Sequence, residues 1–328
     1  MDFLVLFLLY LALVLLCLVL LCLYSTSNQS FHSRYFTGIT QAISHIIPVQ
    51  VQGAVQRVFN GLFHSRLFMA LHLVLEALVF AEFTWEVFGY CKKLEFGTPS
   101  LLLPYLLLIV NMVFFILCSR SDPGAITKSN QALFLHSYPY DGVMFETGAE
   151  CITCKVKKPA RSKHCGVCNR CMHRFDHHCI WVNNCIGAFN IKYFLAYLLT
   201  LISMAASIAG LTAAFLVQVA LLSNLMQGHY ADVHGEEHPV DVFFLIQHLF
   251  LTFPRIVFML GSVVFLLIIL ASYFCFILYL VMTNQTSNEW FKSSRFKHRS
   301  YSNIYSRGVW SNMAEIIRPL TSPTRKRK

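Results

Sequence analysis

Five long apolar blocks decide what this chain can fold into: Phe3 to Tyr24, Leu67 to Tyr90, Leu101 to Cys118, Tyr193 to Leu222 and Ile256 to Met282. A helix that crosses the hydrocarbon core of a bilayer needs about 20 mostly apolar residues. Only 13% of the residues are charged and 56% are hydrophobic. A soluble domain carries about 25% charged residues, and a disordered chain needs low hydrophobicity, so both are excluded. The expected fold is an all-α polytopic membrane protein with five transmembrane helices. Phe3 to Tyr24 lacks a basic leader and a small-residue cleavage site, so it reads as a retained anchor rather than a signal peptide.

Five crossings place the termini on opposite sides, and basic loops orient the chain with Lys and Arg toward the cytosol. Segment 25–66 holds Arg34, Arg57 and Arg66 and no acid, and the tail beyond Met282 has ten Lys and Arg. Segment 223–241 is the reverse, with Asp232, Glu236, Glu237 and Asp241 and no Lys or Arg. The division that follows is an anchor over 1–24, a cytosolic segment over 25–66 and a transmembrane hairpin over 67–118. A cytosolic module over 119–192 comes next. A second hairpin over 193–283 has a luminal loop near 223–241, and a cytosolic tail covers 284–328. The net charge of +10 then reflects topology and contact with lipid, not nucleic-acid binding. Val51, Val55, Val58, Phe59 and Leu62 recur at helical spacing, which fits either an interfacial helix or one packed on the bundle.

The module between the third and fourth helices carries the chemistry. Seven of the 12 Cys lie between Cys151 and Cys185, interleaved with His164, His173, His177 and His178. The cytosol is reducing, so such a cluster is expected to hold metal rather than disulfides. The CxxC pairs Cys151/Cys154 and Cys165/Cys168, with Cys171 three further on, have zinc-ligand spacing. Two closed tetrahedral sites need eight ligands. If six Cys and two His serve, one Cys and two His remain, which is the minimum for thiol nucleophilic catalysis. Asp176 stands beside His177 and could orient it. Spacing alone does not say which Cys is left over, and a purely structural zinc module stays open at this point.

Asp176-His177-His178-Cys179, with Trp181 two residues on and then Asn184-Cys185-Ile186-Gly187 and Asn190, resembles the signature of the DHHC-family protein S-acyltransferases. Pro159, Arg161, His164 and Cys165 fit the same cysteine-rich domain. Asp122-Pro123-Gly124 is similar to the family's DPG element. Thr286-Ser287-Asn288-Glu289 is similar to its TTxE element, with Ser for the second Thr, and Asn312 follows Tyr305, Gly308 and Trp310 as in its C-terminal aromatic-and-Asn element. The resemblance implies two structural zinc ions. One would be held by Cys151, Cys154, His164 and Cys171, the other by Cys165, Cys168, His178 and Cys185. It further implies Cys179 as nucleophile, His177 as general base, Asp176 as the residue that orients His177, and His173 as spare.

The implied reaction transfers a long-chain acyl group, palmitoyl above all, from acyl-CoA through a Cys179 acyl-enzyme to cysteines of membrane-associated proteins. Trp181 and Phe194 match family positions near the mouth of the acyl cavity. Arg161 and Lys163, among eight Lys and Arg in 150–192, are expected to meet the phosphates of palmitoyl-CoA. Met204 is a candidate for the cavity floor. One rival is a catalytically inactive zinc-scaffold membrane adaptor. Another is a transporter using Glu76, Glu82 and Glu86, which lie in an apolar span where acids are costly. Arg325-Lys326-Arg327-Lys328 reads either as a lipid-facing basic patch or as a sequence that resembles a di-basic retrieval signal, and the latter points to endoplasmic reticulum or Golgi membrane.

Overall fold

The computed structural model describes residues 66–224, 227–231, 236–293 and 303–319, with residues 50–51, 53–54, 57–58 and 61. The chain divides into units 1–71 and 72–328. In the first, the described residues between 50 and 61 are helical, in keeping with their apolar spacing. The expected anchor over 1–24 and the terminal Arg325–Lys328 lie outside the described residues.

Four described helices are long and apolar enough to cross a membrane: α1 (Leu67–Lys93), α2 (Thr98–Arg120), α4 (Ile191–Leu222) and α6 (Pro254–Met282). They match four of the five expected spans, and the helices run up to three residues beyond the purely apolar blocks. The cause is capping: Pro99 and Pro254 each sit in the first turn, where a missing N–H costs nothing. Near its far end α1 passes through a π-helical turn, Phe83–Phe88. Glu86 in that turn accepts a hydrogen bond from Arg255 at 2.9 Å, the interface contact its position near the span's end suggests.

An apolar stretch, Val242 to Phe253, leads into the last span. The structure makes it a separate helix, α5 (Val242–Thr252), because Pro254 cannot continue the helix that precedes it. The apolar core on this side of the bundle packs Phe80, Phe83, Val87, Met204, Ile208 and Phe215 with Ile256, Met259 and Val263.

The metal-binding module lies between α2 and α4, and it corrects the all-α expectation in one respect. It is built from short antiparallel strands, not helices. β1 (Ala125–Ile126) and β4 (Lys163–Cys165) flank β5 (Arg170–Met172), while β2 (Glu150–Cys151) pairs with β3 (Val156–Lys157) and β6 (His177–Cys179) with β7 (Asn184–Ile186). Close ligand spacing demands tight turns, and two- or three-residue ribbons are what such turns leave room for. A short helix, α3 (Gln131–Leu135), covers β3. Beyond α6 come α7 (Ser287–Ser293) and α8 (Val309–Ile317).

Three polar staples fix the module to the bundle. Asp122 Oδ1 accepts from the N–H groups of Gly124 and Ala125 at 2.9 and 2.8 Å, closing the turn that leads into β1. Asn184 Nδ2 donates to the carbonyls of Cys118 and Ser121 at the end of α2. Asn190 receives the N–H of Gly187 and donates to the carbonyl of Cys185, which turns β7 into α4. Gly187 has to be glycine, because a Cβ there would lie 2.5 Å from the Pro123 carbonyl oxygen.

Candidate functional site

Two ligand clusters form where strand register brings side chains together. His164 faces Cys171 across β4 and β5, and His178 faces Cys185 across β6 and β7. The CxxC turns supply the other pairs, so the sets are Cys151, Cys154, His164 and Cys171, and Cys165, Cys168, His178 and Cys185. Among the described residues these are the two groups whose donor atoms converge, within 4.8 Å of one another. In the first set His164 Nδ1 lies 3.6, 3.2 and 3.9 Å from the three sulfurs. In the second His178 Nδ1 lies 3.8, 3.4 and 3.6 Å away. A tetrahedron with Zn–S of about 2.3 Å and Zn–N of about 2.0–2.1 Å has S···N edges of ~3.6 Å. The donor sets and their spacing therefore fit zinc. Backbone N–H groups of Cys154 and Cys168 point at Cys151 and Cys165 sulfurs, which favours the thiolate form. His173 is no part of either set; it is buried and stacks on Phe134 at 4.5 Å.

The seventh cysteine, Cys179, closes β6 beside the second cluster. His177 Nδ1 bonds Asp176 Oδ2 at 2.6 Å, and the imidazole also bonds the Cys179 thiol. Asp176 is buried and accepts two more hydrogen bonds from Ser287 of α7, from N–H at 2.7 Å and from Oγ at 2.9 Å. Burial pushes the Asp176 carboxyl up, but the bonds from His177 and Ser287 outweigh it and hold the group below its usual range. Burial disfavours the His177 imidazolium, yet Asp176 and Cys179 outweigh that and raise it to about 10. Burial alone would raise the Cys179 thiol. The His177 bond and charge, with the N–H groups of Val182 and Trp181, bring it below its ordinary value. Both shifts favour a thiolate beside an imidazolium, with Asp176 behind the pair.

Arg161 is corrected by the structure. It has no exposed surface, and its guanidinium grips Glu289 at 2.7 and 2.8 Å and Asn284 at 2.9 and 2.8 Å. The rings of Tyr138 and Tyr305, nearly perpendicular to each other, pack against it with centroids at 4.8 and 4.3 Å. It ties the module to the segment after α6 and does not face a phosphate. Glu315 of α8 completes this junction with Tyr138, Arg174, Arg307 and Asn284. The sequence gives no sign of Glu315, an acid in a short amphipathic stripe. It likewise hides the grip of Ser287 on Asp176, because 110 residues and two spans separate them.

Lys163 stands over Phe175 and, with Lys158 of the module and Lys292 of α7, lines a cavity of about 180 Å³. Phe194 is buried with its ring centroid 5.2 Å from that of His177, and Trp181 is 42% exposed. Met204 is buried in the apolar core farther down α4.

Fold and site define a multi-pass membrane protein that carries a metal-scaffolded Cys–His–Asp constellation at one face of its bundle. Residues 144–294 match the family model described as DHHC palmitoyltransferase. Palmitoyltransferase ZDHHC4 of Rattus norvegicus is 51% identical over the whole of both chains. Palmitoyltransferase ZDHHC4 of Mus musculus is 52% identical over all of this chain and 99% of its own. Palmitoyltransferase SWF1 of Yarrowia lipolytica is 48% identical over 29% of this chain and 24% of its own. The chain belongs to the DHHC palmitoyltransferase family of protein S-palmitoyltransferases, and its full-length similarity is to the type 4 members.

Proposed function

We propose that Cys179 is the nucleophile through which this palmitoyltransferase works. The observation that carries the proposal is the aligned set Asp176–His177–Cys179, with its 2.6 Å carboxylate–imidazole bond. The Cys179 thiolate attacks the thioester carbonyl of palmitoyl-CoA. A new S–C bond forms, the bond to the CoA sulfur breaks, and the His177 imidazolium hands its proton to the departing CoA thiolate. In the second half-reaction neutral His177 takes the proton of a substrate protein's cysteine. That sulfur then attacks the acyl-enzyme, and Cys179 leaves as thiolate. Asp176 acts on His177, fixing the tautomer and the ring plane.

The zinc ions would be structural. Both donor sets are complete with four protein ligands, which leaves no open position for water or substrate. The first would tie the turn after β2 to β4 and β5, and the second would hold β6 and β7 in register, so that Cys179 stands clear of the ligands. The acyl chain would enter the bundle between α1, α2 and α4, past Trp181 and Phe194. The CoA phosphates would meet Lys158, Lys163 and Lys292 at the cavity they line.

The charge distribution supports an N-terminus in the lumen, with the module and the tail in the cytosol, in endoplasmic reticulum or Golgi membrane. The division into anchor (1–24), cytosolic segment (25–66), hairpin (67–118), module (119–192), second hairpin (193–283) and tail (284–328) goes with that topology. Substrates would be membrane-associated proteins with cysteines at the cytosolic surface, and membrane lipid surrounds the bundle.

Purified protein and Cys179→Ser are each incubated with labelled palmitoyl-CoA, and hydroxylamine-sensitive label on the protein is read. Label on the wild type alone is expected. Equal label on both proteins would overturn the assignment and favour a zinc-scaffold adaptor acylated elsewhere.

A further inference from the structure

The bundle interior beneath Cys179 holds a polar group that the reaction described above does not use. Glu76 of α1 has a side chain only 6% exposed, and neither carboxyl oxygen has a hydrogen-bond partner. His72, one turn earlier, is not that partner. Its Nε2 shares a 2.8 Å hydrogen bond with the Tyr197 hydroxyl and lies 3.7 Å from Glu76 Oε2, outside hydrogen-bond reach and an ion pair only when the imidazole is charged. Asn111 of α2 is fully buried. It spends its Nδ2 on the Tyr197 carbonyl and Thr200 Oγ1 and leaves Oδ1 without a partner. A buried carboxyl that makes no hydrogen bond is costly in water-soluble proteins and more so inside a bilayer. Each such group in a folded protein calls for a ligand, a water or a function.

Its place is set by the helices. Phe194 touches His177, Tyr197 neighbours Phe194, and His72 packs against Tyr197, Phe115 and Trp181. Phe115 stands one turn from Cys118, whose carbonyl the module's Asn184 holds. Asn111 stands one turn farther, and Glu76 one turn beyond His72. At 1.5 Å per residue, Glu76 and Asn111 lie ~10 Å below the level of Cys118. The sealed apolar core of Phe80, Met204 and Ile208 begins beyond them. Three unpaired oxygens thus sit between the nucleophile and the floor.

We propose that Glu76, backed by Asn111, is a specificity-determining site for the acyl chain, and that it favours a long-chain acyl group bearing a hydroxyl near its middle. The inference rests on the Cys179 reading, because that reading sends the chain down this path. A plain methylene chain passing this level leaves the carboxyl unpaired. A mid-chain hydroxyl both donates to and accepts from it. His72 and Tyr197 satisfy each other and so cannot substitute for the missing partner.

The test is a competition. Wild type, Glu76→Leu and Glu76→Gln, each with its zinc content verified, receive an equimolar mixture of palmitoyl-CoA and a mid-chain hydroxypalmitoyl-CoA. The two acyl forms of the Cys179 peptide are counted by mass spectrometry. A ratio within one reaction is insensitive to how much enzyme is active. The hydroxyl-to-plain ratio is expected to fall about tenfold in Glu76→Leu, equivalent to about 1.4 kcal/mol, and to hold within about twofold in Glu76→Gln, whose amide still bonds a hydroxyl. An acyl-CoA with its hydroxyl at the chain terminus is expected to show no dependence on residue 76. An unchanged ratio in Glu76→Leu, or equal sensitivity for both hydroxyl positions, overturns the inference. Absence of any acyl label on wild-type Cys179 from palmitoyl-CoA alone would instead bring down the underlying assignment of the nucleophile.

Discussion

Replacing Ser287 by alanine removes one hydrogen bond from a buried carboxylate and leaves everything else in place. Asp176 accepts three: from His177 at 2.6 Å, from the Ser287 N–H at 2.7 Å and from the Ser287 hydroxyl at 2.9 Å. The residue is 7% exposed, so water is poorly placed to replace the hydroxyl. A hydrogen bond to a charged group contributes about 1.5–3 kcal/mol. The backbone N–H remains, and Oδ2 keeps its bond to His177, so the lower end of that range applies. If the lost energy falls on the geometry that holds the imidazolium against Cys179, a barrier increase of about 1.4 kcal/mol slows acyl-enzyme formation about tenfold. Single-turnover labelling with palmitoyl-CoA measures this directly. Ser287→Thr keeps the hydroxyl and is expected to hold the wild-type rate, which makes the loss in Ser287→Ala specific to the bond. A Ser287→Ala protein with two zinc ions and an unchanged acylation rate would refute the idea that α7 positions the catalytic carboxylate.

Arg161→Met leaves Glu289 buried without its bidentate partner, a change that costs about 3–5 kcal/mol. Thermal unfolding in detergent should show a clear drop, and Arg161→Lys should not restore it because an ammonium cannot fork across both carboxylate oxygens. Gly187→Ala drives a Cβ to 2.5 Å from the Pro123 carbonyl and 3.1 Å from that of His173; both are backbone, so the module must distort, and lowered zinc retention after purification is the readout. Stripping zinc with a chelator should expose 119–192 to limited proteolysis before the transmembrane helices are lost, with two equivalents of zinc released per chain, since metal binding and folding of such small modules are one process.

The sequence carries most of the architecture for a reason that lies in the solvent. A bilayer offers backbone groups no hydrogen bonds, so spans must be helices of nearly fixed length. Leu101 to Cys118 is legible as a span, and it appears inside α2 (Thr98–Arg120). The ends differ because caps obey local backbone chemistry and not hydropathy. The zinc ligands are half legible. Spacing marks Cys151/Cys154 and Cys165/Cys168 as pairs, but spacing cannot choose among the other cysteines and histidines. The family resemblance names a set, and cross-strand register shows why that set converges: His164 lies opposite Cys171, and His178 opposite Cys185.

By itself, then, the sequence determined a multi-span bundle, a metal-binding module and a DHHC motif, all of which depend on residues within one turn, one ribbon or one bilayer thickness of each other. Tertiary structure decided what depends on distant segments meeting. Arg161 sits among basic residues in the sequence, yet burial against Glu289 and Asn284 turns it from a ligand contact into a structural brace. Asp176 draws its orientation from Ser287, beyond two membrane spans. Glu76 is one acid among several along α1, and only the packing of α1, α2 and α4 leaves it buried without a hydrogen bond. Desolvation makes the difference in all three, because a polar group's worth is set by what replaces its water, and that is known only once the helices have packed.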